Sequence, residues 1–199
     1  MLRRLRHPFF LAAFLGLSLL LAGCQQNQSF SPSAIDITGA EYGKNFKLND
    51  PDGKPVALSD FHGKAVLVFF GFTQCPDVCP TALSRAAEVR KSLGKDGDRL
   101  QVIFVTVDPE RDTPQVLKSY TAAFDPGFLG LSTDLENTRK TADAFRVYYA
   151  KVPTGSSYTM DHTAISYLYD PAGKLRLAVR PEASVADVTQ DVRTLLQSS

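Results

Sequence analysis

The sequence predicts an α/β layer fold built on a mixed sheet. Three observations carry this. Two continuous apolar runs, 65–72 and 100–107, are rich in β-branched and aromatic residues, the pattern of strands buried on both faces. Apolar residues at helical spacing follow each run. Two turn signals, Asp52-Gly53-Lys54 and Asp170-Pro171-Ala172-Gly173-Lys174, each lie between short apolar segments, as hairpins require. Strands that alternate with helices in this way pack as layers around one core.

The first element is a targeting segment. Met1 to His7 is basic, and the sixteen residues from Pro8 to Gly23 carry no charge. A helix needs ~20 apolar residues to span a bilayer, so this stretch fits the apolar region of a signal peptide. It ends Leu21-Ala22-Gly23-Cys24, which resembles the bacterial lipobox, in which the cysteine is acylated and becomes the first mature residue. Residues 1–23 are therefore expected to be a lipoprotein signal peptide, with Cys24 the lipidated residue. Residues 24–41 are expected to form a flexible tether, since Gln25 to Ala40 is rich in Gln, Ser and Asn without an apolar period. At ~3.3 Å per residue such a tether reaches at most about 50 Å. The domain at 42–199 would then hang close to a membrane in the cell envelope, facing the periplasm, where disulfides can form.

Within that domain Phe46-Lys47-Leu48 and Val56-Ala57-Leu58 form the first hairpin, and Ala65 to Phe72 a buried central strand. A helix follows with Pro80 at its first position and Gly94 just past its end, presenting Ala82, Ala86, Val89 and Leu93 on one face. Leu100 to Val107 is the second buried strand. Thr113-Pro114 opens a helix with Val116, Leu117, Tyr120 and Phe124 inward. A third helix runs from about Leu135 to Val147 on Leu135, Thr138, Ala142 and Phe145. Ala164–Tyr169 and Leu175–Val179 pair as the last hairpin, and Ser184 caps a final helix carrying Val185, Val188, Val192 and Leu195. The order matches a thioredoxin-like three-layer fold with an extra N-terminal β-hairpin and an inserted helix.

Charge excludes one class of function. The chain has 22 basic and 21 acidic residues. Without Arg3, Arg4 and Arg6 the balance is 19 to 21, a net of −2. A slightly acidic domain has no electrostatic footprint for nucleic acid. Three Cys and three His in the whole chain confine any thiol or metal chemistry to very few residues.

Cys75 and Cys79 stand where the central strand passes into a helix, in Gly71-Phe72-Thr73-Gln74-Cys75-Pro76-Asp77-Val78-Cys79-Pro80. Ligand sites of open α/β sheets gather at such strand ends. The helix N-terminus is expected to lower the pKa of Cys79. Three intervening residues let the sulfurs either close a disulfide or hold one ion. A disulfide that merely stapled this short loop would add little stability. Two thiolates are soft donors that suit Cu(I) or Zn, and a third donor must come from elsewhere. His62 lies in a polar turn at the far end of the strand. His162, in Asp161-His162-Thr163, precedes a strand whose start faces the cysteine loop in a thioredoxin layout, so it is the better candidate. The next loop at that sheet edge, Val107-Asp108-Pro109-Glu110-Arg111-Asp112-Thr113-Pro114, offers Asp108 as an acceptor that orders the metal loop without touching the ion. The remaining charged residues there read as ties within the loop.

Cys75-Pro-Asp-Val-Cys79-Pro80, Val107 to Pro114 and Asp161-His162-Thr163 together resemble the signature blocks of the Sco/SenC proteins, over essentially all of the chain from about Tyr42. The resemblance implies a membrane-tethered thioredoxin fold that binds copper, as Cu(I) or Cu(II), through Cys75, Cys79 and His162. It also implies a role at the copper centre of cytochrome c oxidase subunit II. Many members keep a transmembrane anchor where this chain has a lipobox. Two functions follow. One is a metallochaperone that takes copper from an upstream periplasmic donor and passes it to the oxidase subunit. The other is a thiol–disulfide oxidoreductase, with Cys75 and Cys79 as its redox pair, that reduces the target's cysteines and is itself recharged by a thiol reductant. His162 favours the first, because dithiol exchange has no need of it.

Overall fold

The structure, a computed structural model, describes residues 29–197. The expected signal peptide and Cys24 lie outside the described residues. Strands are β1 (Ala34–Asp36), β2 (Lys47–Asn49), β3 (Pro55–Ala57), β4 (Ala65–Gly71), β5 (Leu100–Thr106), β6 (Leu129–Leu131), β7 (Tyr149–Thr154), β8 (Ser157–His162), β9 (Ser166–Tyr169) and β10 (Leu175–Val179). Helices are α1 (Val78–Ser92), α2 (Pro114–Ala122), α3 (Leu135–Ala144) and α4 (Val185–Gln197).

Among the described residues one mixed sheet runs in the order β1-β10-β9-β4-β5-β6. β4, β5 and β6 are parallel, whereas β9, β10 and β1 pair antiparallel. This is the expected thioredoxin-like α/β fold. Every residue of β4 and of β5 is buried, because helices cover the sheet and leave no strand face for water. α1 packs beside α4. The centre is aromatic: Phe69, Phe70, Phe104, Phe145 and Tyr169 are essentially inaccessible.

The register of the sheet prepares the site. Gly71 pairs with Thr106 at the C-terminal ends of the parallel strands, and Phe69 pairs with Ser166 at the start of β9. One sheet end therefore collects the loop after β4, the loop after β5 and the chain entering β9.

Several expectations are corrected by packing. Part of the stretch read as tether is ordered: Ala34–Asp36 adds an edge strand to β10, and Ser31 donates from its backbone N–H and its hydroxyl to the buried Asp191, at 2.7 Å each. An edge strand half open to water needs no apolar period, so composition did not reveal it. α1 begins at Val78, two residues before Pro80. Proline sits equally well inside the first turn, where backbone N–H groups lack helical partners. Val116 and Leu135 face water, at 41% and 50% exposure, where inward positions were expected. α3 stops at Ala144, since Arg146 takes a left-handed φ of 56°. β2–β3 is a ribbon of its own, as is β7–β8. The latter was not anticipated, because Lys151 to Ser157 is almost wholly solvent-exposed and carries no buried stripe.

Candidate metal centre

Cys79 is the second residue of α1 and is fully buried, while Cys75, in the loop before it, is half-buried. Both are free thiols. The Cys79 backbone N–H donates to Cys75 Sγ at 3.4 Å, so the first turn of the helix holds the second sulfur in place. The space for Cys79 is made by Gly71: a Cβ there would lie 2.6 Å from Cys79 Sγ and 2.9 Å from the Phe104 ring. No real Cβ tolerates such contacts, and only glycine leaves the sulfur room.

His162, the last residue of β8, comes from the other side of the sheet end. Its Nδ1–H donates to the Thr163 carbonyl at 3.1 Å. That bond leaves Nε2 with a free lone pair, 3.5 Å from Cys79 Sγ. Phe69 and Phe72 meet the imidazole edge-on, at 6.0 and 5.8 Å between ring centres. The two Sγ atoms and a ring nitrogen of His162 all lie within 4.8 Å of one another. The structure thus brings together the three residues singled out in the sequence. His62 is exposed, as read.

Electrostatics at the centre differ from the expectation for a helix N-terminus. Burial pushes the Cys79 thiol far up from its ordinary value, and the nearby Cys75 adds to the rise. Loss of water outweighs the dipole here, because the sulfur has no solvent contact to share its charge. Burial likewise lowers the His162 pKa, against the pull of the Thr163 carbonyl and Asp161. Without a metal the pair is thus a neutral thiol facing a neutral imidazole. A cation placed between them would supply the charge compensation that burial denies to a thiolate. Two sulfurs and one neutral nitrogen in a dry pocket fit copper well.

Asp108 is buried but touches neither cysteine. It accepts from Tyr158 Oη at 2.9 Å and from Arg111 Nε, and its carboxylate is linked to the cysteine loop through Arg111, whose Nη1 donates to Gln74 Oε1 at 3.1 Å. Asp112 does more than tie its own loop. It accepts from the Thr73 N–H at 3.0 Å and from the Thr73 and Thr106 hydroxyls at 2.6 Å, fastening the segment before Cys75 to the end of β5. Burial raises its pKa against those three hydrogen bonds. Sequence reasoning missed Gly71, Arg111 and Tyr158 as parts of the site. For Gly71 a signal existed, since it is the one glycine inside an otherwise bulky buried strand.

A thioredoxin-like domain with two thiols and an imidazole converging at one sheet end defines a class: a thiol-bearing domain with a candidate soft-metal site. The comparisons then narrow it. The chain belongs to the SCO1/SenC family, whose profile matches residues 34–197. A SCO2-like protein of Rickettsia felis is 38% identical over 135 residues, 66% of this chain and 66% of that protein, so the match spans just under two thirds of the relative's length. The copper-bound structure of Bradyrhizobium japonicum ScoI shares 43% identity at a TM-score of 0.71, covering 78% of this chain and 99% of that one. A SCO1/SenC family lipoprotein of Bacillus anthracis shares 25% identity at a TM-score of 0.64, covering 76% of this chain and 92% of that one. Among the described residues no helix is long and apolar enough to cross a membrane.

Proposed function

We propose that this protein is a copper metallochaperone. Cys75, Cys79 and His162 take up copper from a periplasmic donor and pass it to the copper centre of cytochrome c oxidase subunit II. The observation that carries this reading is the approach of three donor atoms to within 4.8 Å, including a nitrogen that dithiol exchange does not use. The copper-bound relative supports the choice of metal.

The residues divide the work. Uptake replaces the thiol protons by the metal, and Cys79, whose burial disfavours a free thiolate, becomes a thiolate only as copper arrives. His162 adds a neutral nitrogen that also suits Cu(II). Cys75 and His162 are partly exposed, so an incoming ligand of the acceptor reaches copper from their side and replaces them in turn. Copper keeps its oxidation state in this exchange. The oxidoreductase reading is weaker, because dithiol exchange has no use for an imidazole nitrogen placed 3.5 Å from Cys79 Sγ. Acylation of Cys24 holds the domain at the envelope membrane, an anchoring mode supported by the lipoprotein relative.

The test is a copper titration of the reduced full chain in detergent, read by sulfur-to-copper charge-transfer absorption. One tightly held copper per chain is expected. In His162→Ala the Cu(II) spectrum changes and affinity falls, with the fold intact. An unchanged Cu(II) spectrum and affinity in that variant would remove His162 from the site.

A further inference from the structure

The ribbon that carries His162 is not part of the central sheet. β7 and β8 pair with each other alone, and residues 151–157 lie open to water. Yet His162 must present a ring nitrogen to a buried sulfur with sub-ångström consistency if it is to bind a metal. Something other than strand pairing holds it.

Tyr158, Met160 and His162 alternate along β8 and therefore share one face of the ribbon. Met160 is buried. The Tyr158 ring is gripped from the body of the domain. The Arg111 guanidinium stacks 3.7 Å from its centre, and Arg111 Nη1 donates to the Tyr158 carbonyl at 2.8 Å. The Tyr158 hydroxyl donates to Asp108, which also holds Arg111 Nε. Lys151 lies 4.7 Å from the same ring and pairs with Glu110. Arg111 also turns toward the cysteines: Nη1 reaches Gln74, the neighbour of Cys75, and the guanidinium lies 5.9 Å from the centre of the Phe72 ring. Its Nη2 is buried, without a hydrogen-bond partner among the described residues.

Resting on the copper-binding reading above, we infer that Arg111 and Tyr158 form a latch that positions His162 over the two sulfurs. The Arg111 side chain hydrogen-bonds both the cysteine loop and the His162 ribbon. Its planar fork serves three acceptors while its face stacks on a ring, which lysine cannot reproduce. Closed, the latch gives copper its nitrogen ligand. Open, it leaves the metal on two sulfurs, the state from which an acceptor displaces it more readily. Neither residue touches the metal: both are positioning residues, and the ribbon is the moving part.

The experiment compares copper loss from the reduced, copper-loaded full chain in detergent to an excess of chelator, with nitrogen hyperfine structure in the Cu(II) paramagnetic resonance spectrum as second readout. Arg111→Met and Tyr158→Leu should each speed copper loss about tenfold, the range found when groups that orient metal ligands are removed, and should weaken the nitrogen signature. In a His162→Ala background the same substitutions should change the rate by less than about twofold, since they act through a ligand already gone. Equal acceleration in both backgrounds, or single variants with wild-type rates and spectra, overturns the latch. If Arg111→Met does not fold, Tyr158→Leu, on the ribbon side, decides alone. If His162→Ala by itself leaves copper retention and the spectrum unchanged, the three-ligand reading fails and the latch with it. If His162→Ala acts while the latch variants add to it, the latch alone fails.

Discussion

Cys79 Sγ and His162 Nε2 stand 3.5 Å apart although 83 residues separate them in the chain. Each is kept neutral by burial, and each is fixed by one local hydrogen-bonded frame. Cys79 sits in the first turn of α1, where its backbone N–H donates to Cys75 Sγ, and the imidazole is held by its bond to the Thr163 carbonyl. The contact is a proton-filled version of a metal site, and most of the expected behaviour follows from that.

The two thiols should react in a definite order. Cys75 is half-buried and Cys79 inaccessible, and burial keeps the Cys79 thiol protonated well above its ordinary 9.0. Iodoacetamide labelling followed by peptide mass mapping should modify Cys75 first, and bound copper should protect both. A Cys75–Cys79 disulfide uses both sulfurs, so the oxidised protein should take up little copper until reduced. Full-strength binding by the oxidised form would point to other ligands.

Lowering the pH should weaken the nitrogen ligand later than for an exposed histidine. The folded His162 pKa lies below its ordinary 6.5 because burial disfavours the imidazolium. The sign for stability follows. As pH falls below about 6.5 the unfolded chain takes up the proton before the folded one, so stability of the metal-free protein declines until the folded imidazole titrates as well. Urea midpoints measured from pH 7.5 downward should fall more steeply for wild type than for His162→Gln. Parallel curves would refute the shift.

Gly71→Ala should damage both fold and site. The added methyl would meet Cys79 Sγ at 2.6 Å and Phe104 at 2.9 Å, in a packed core with no room to yield. Overpacking of this kind costs about 1–3 kcal/mol, to be read from denaturant unfolding, and copper affinity should fall along with it because the sulfur is displaced. A variant of wild-type stability and copper affinity would show that the strand end moves freely.

Cys24→Ser should abolish acylation. The residue lies outside the described part of the chain, and the expectation rests on Leu21-Ala22-Gly23-Cys24. In membrane fractionation with gel-shift analysis, the variant should lose its lipoprotein-type processing. Persistence of a membrane-bound product of unchanged mature size would rule out the lipid anchor.

Local pattern made much of this molecule legible. The apolar runs at 65–72 and 100–107 became β4 and β5 almost residue for residue, because a strand buried on both faces has no polar position to confuse the reading. Thr113 and Ser184 cap their helices as expected. The exposed ribbon β7–β8 left no such mark. Its two strands pair only with each other, and residues 151–157 present no buried stripe.

The sequence by itself determined that two cysteines stand at a strand-to-helix junction, that His162 is the better partner for them, and that the domain is a mixed α/β sandwich. These are properties of residue type and short-range spacing. Tertiary structure alone decided how close His162 comes and what charge the site carries. It turned Cys79 from an expected low-pKa thiol into a protonated one, because desolvation depends on what packs around an atom and not on its neighbours in the chain. It also joined Arg111 to Gln74 and Tyr158 across 37 and 47 residues. Contacts of that range arise from the packing together of loops and a ribbon far apart in the chain, which no local pattern encodes.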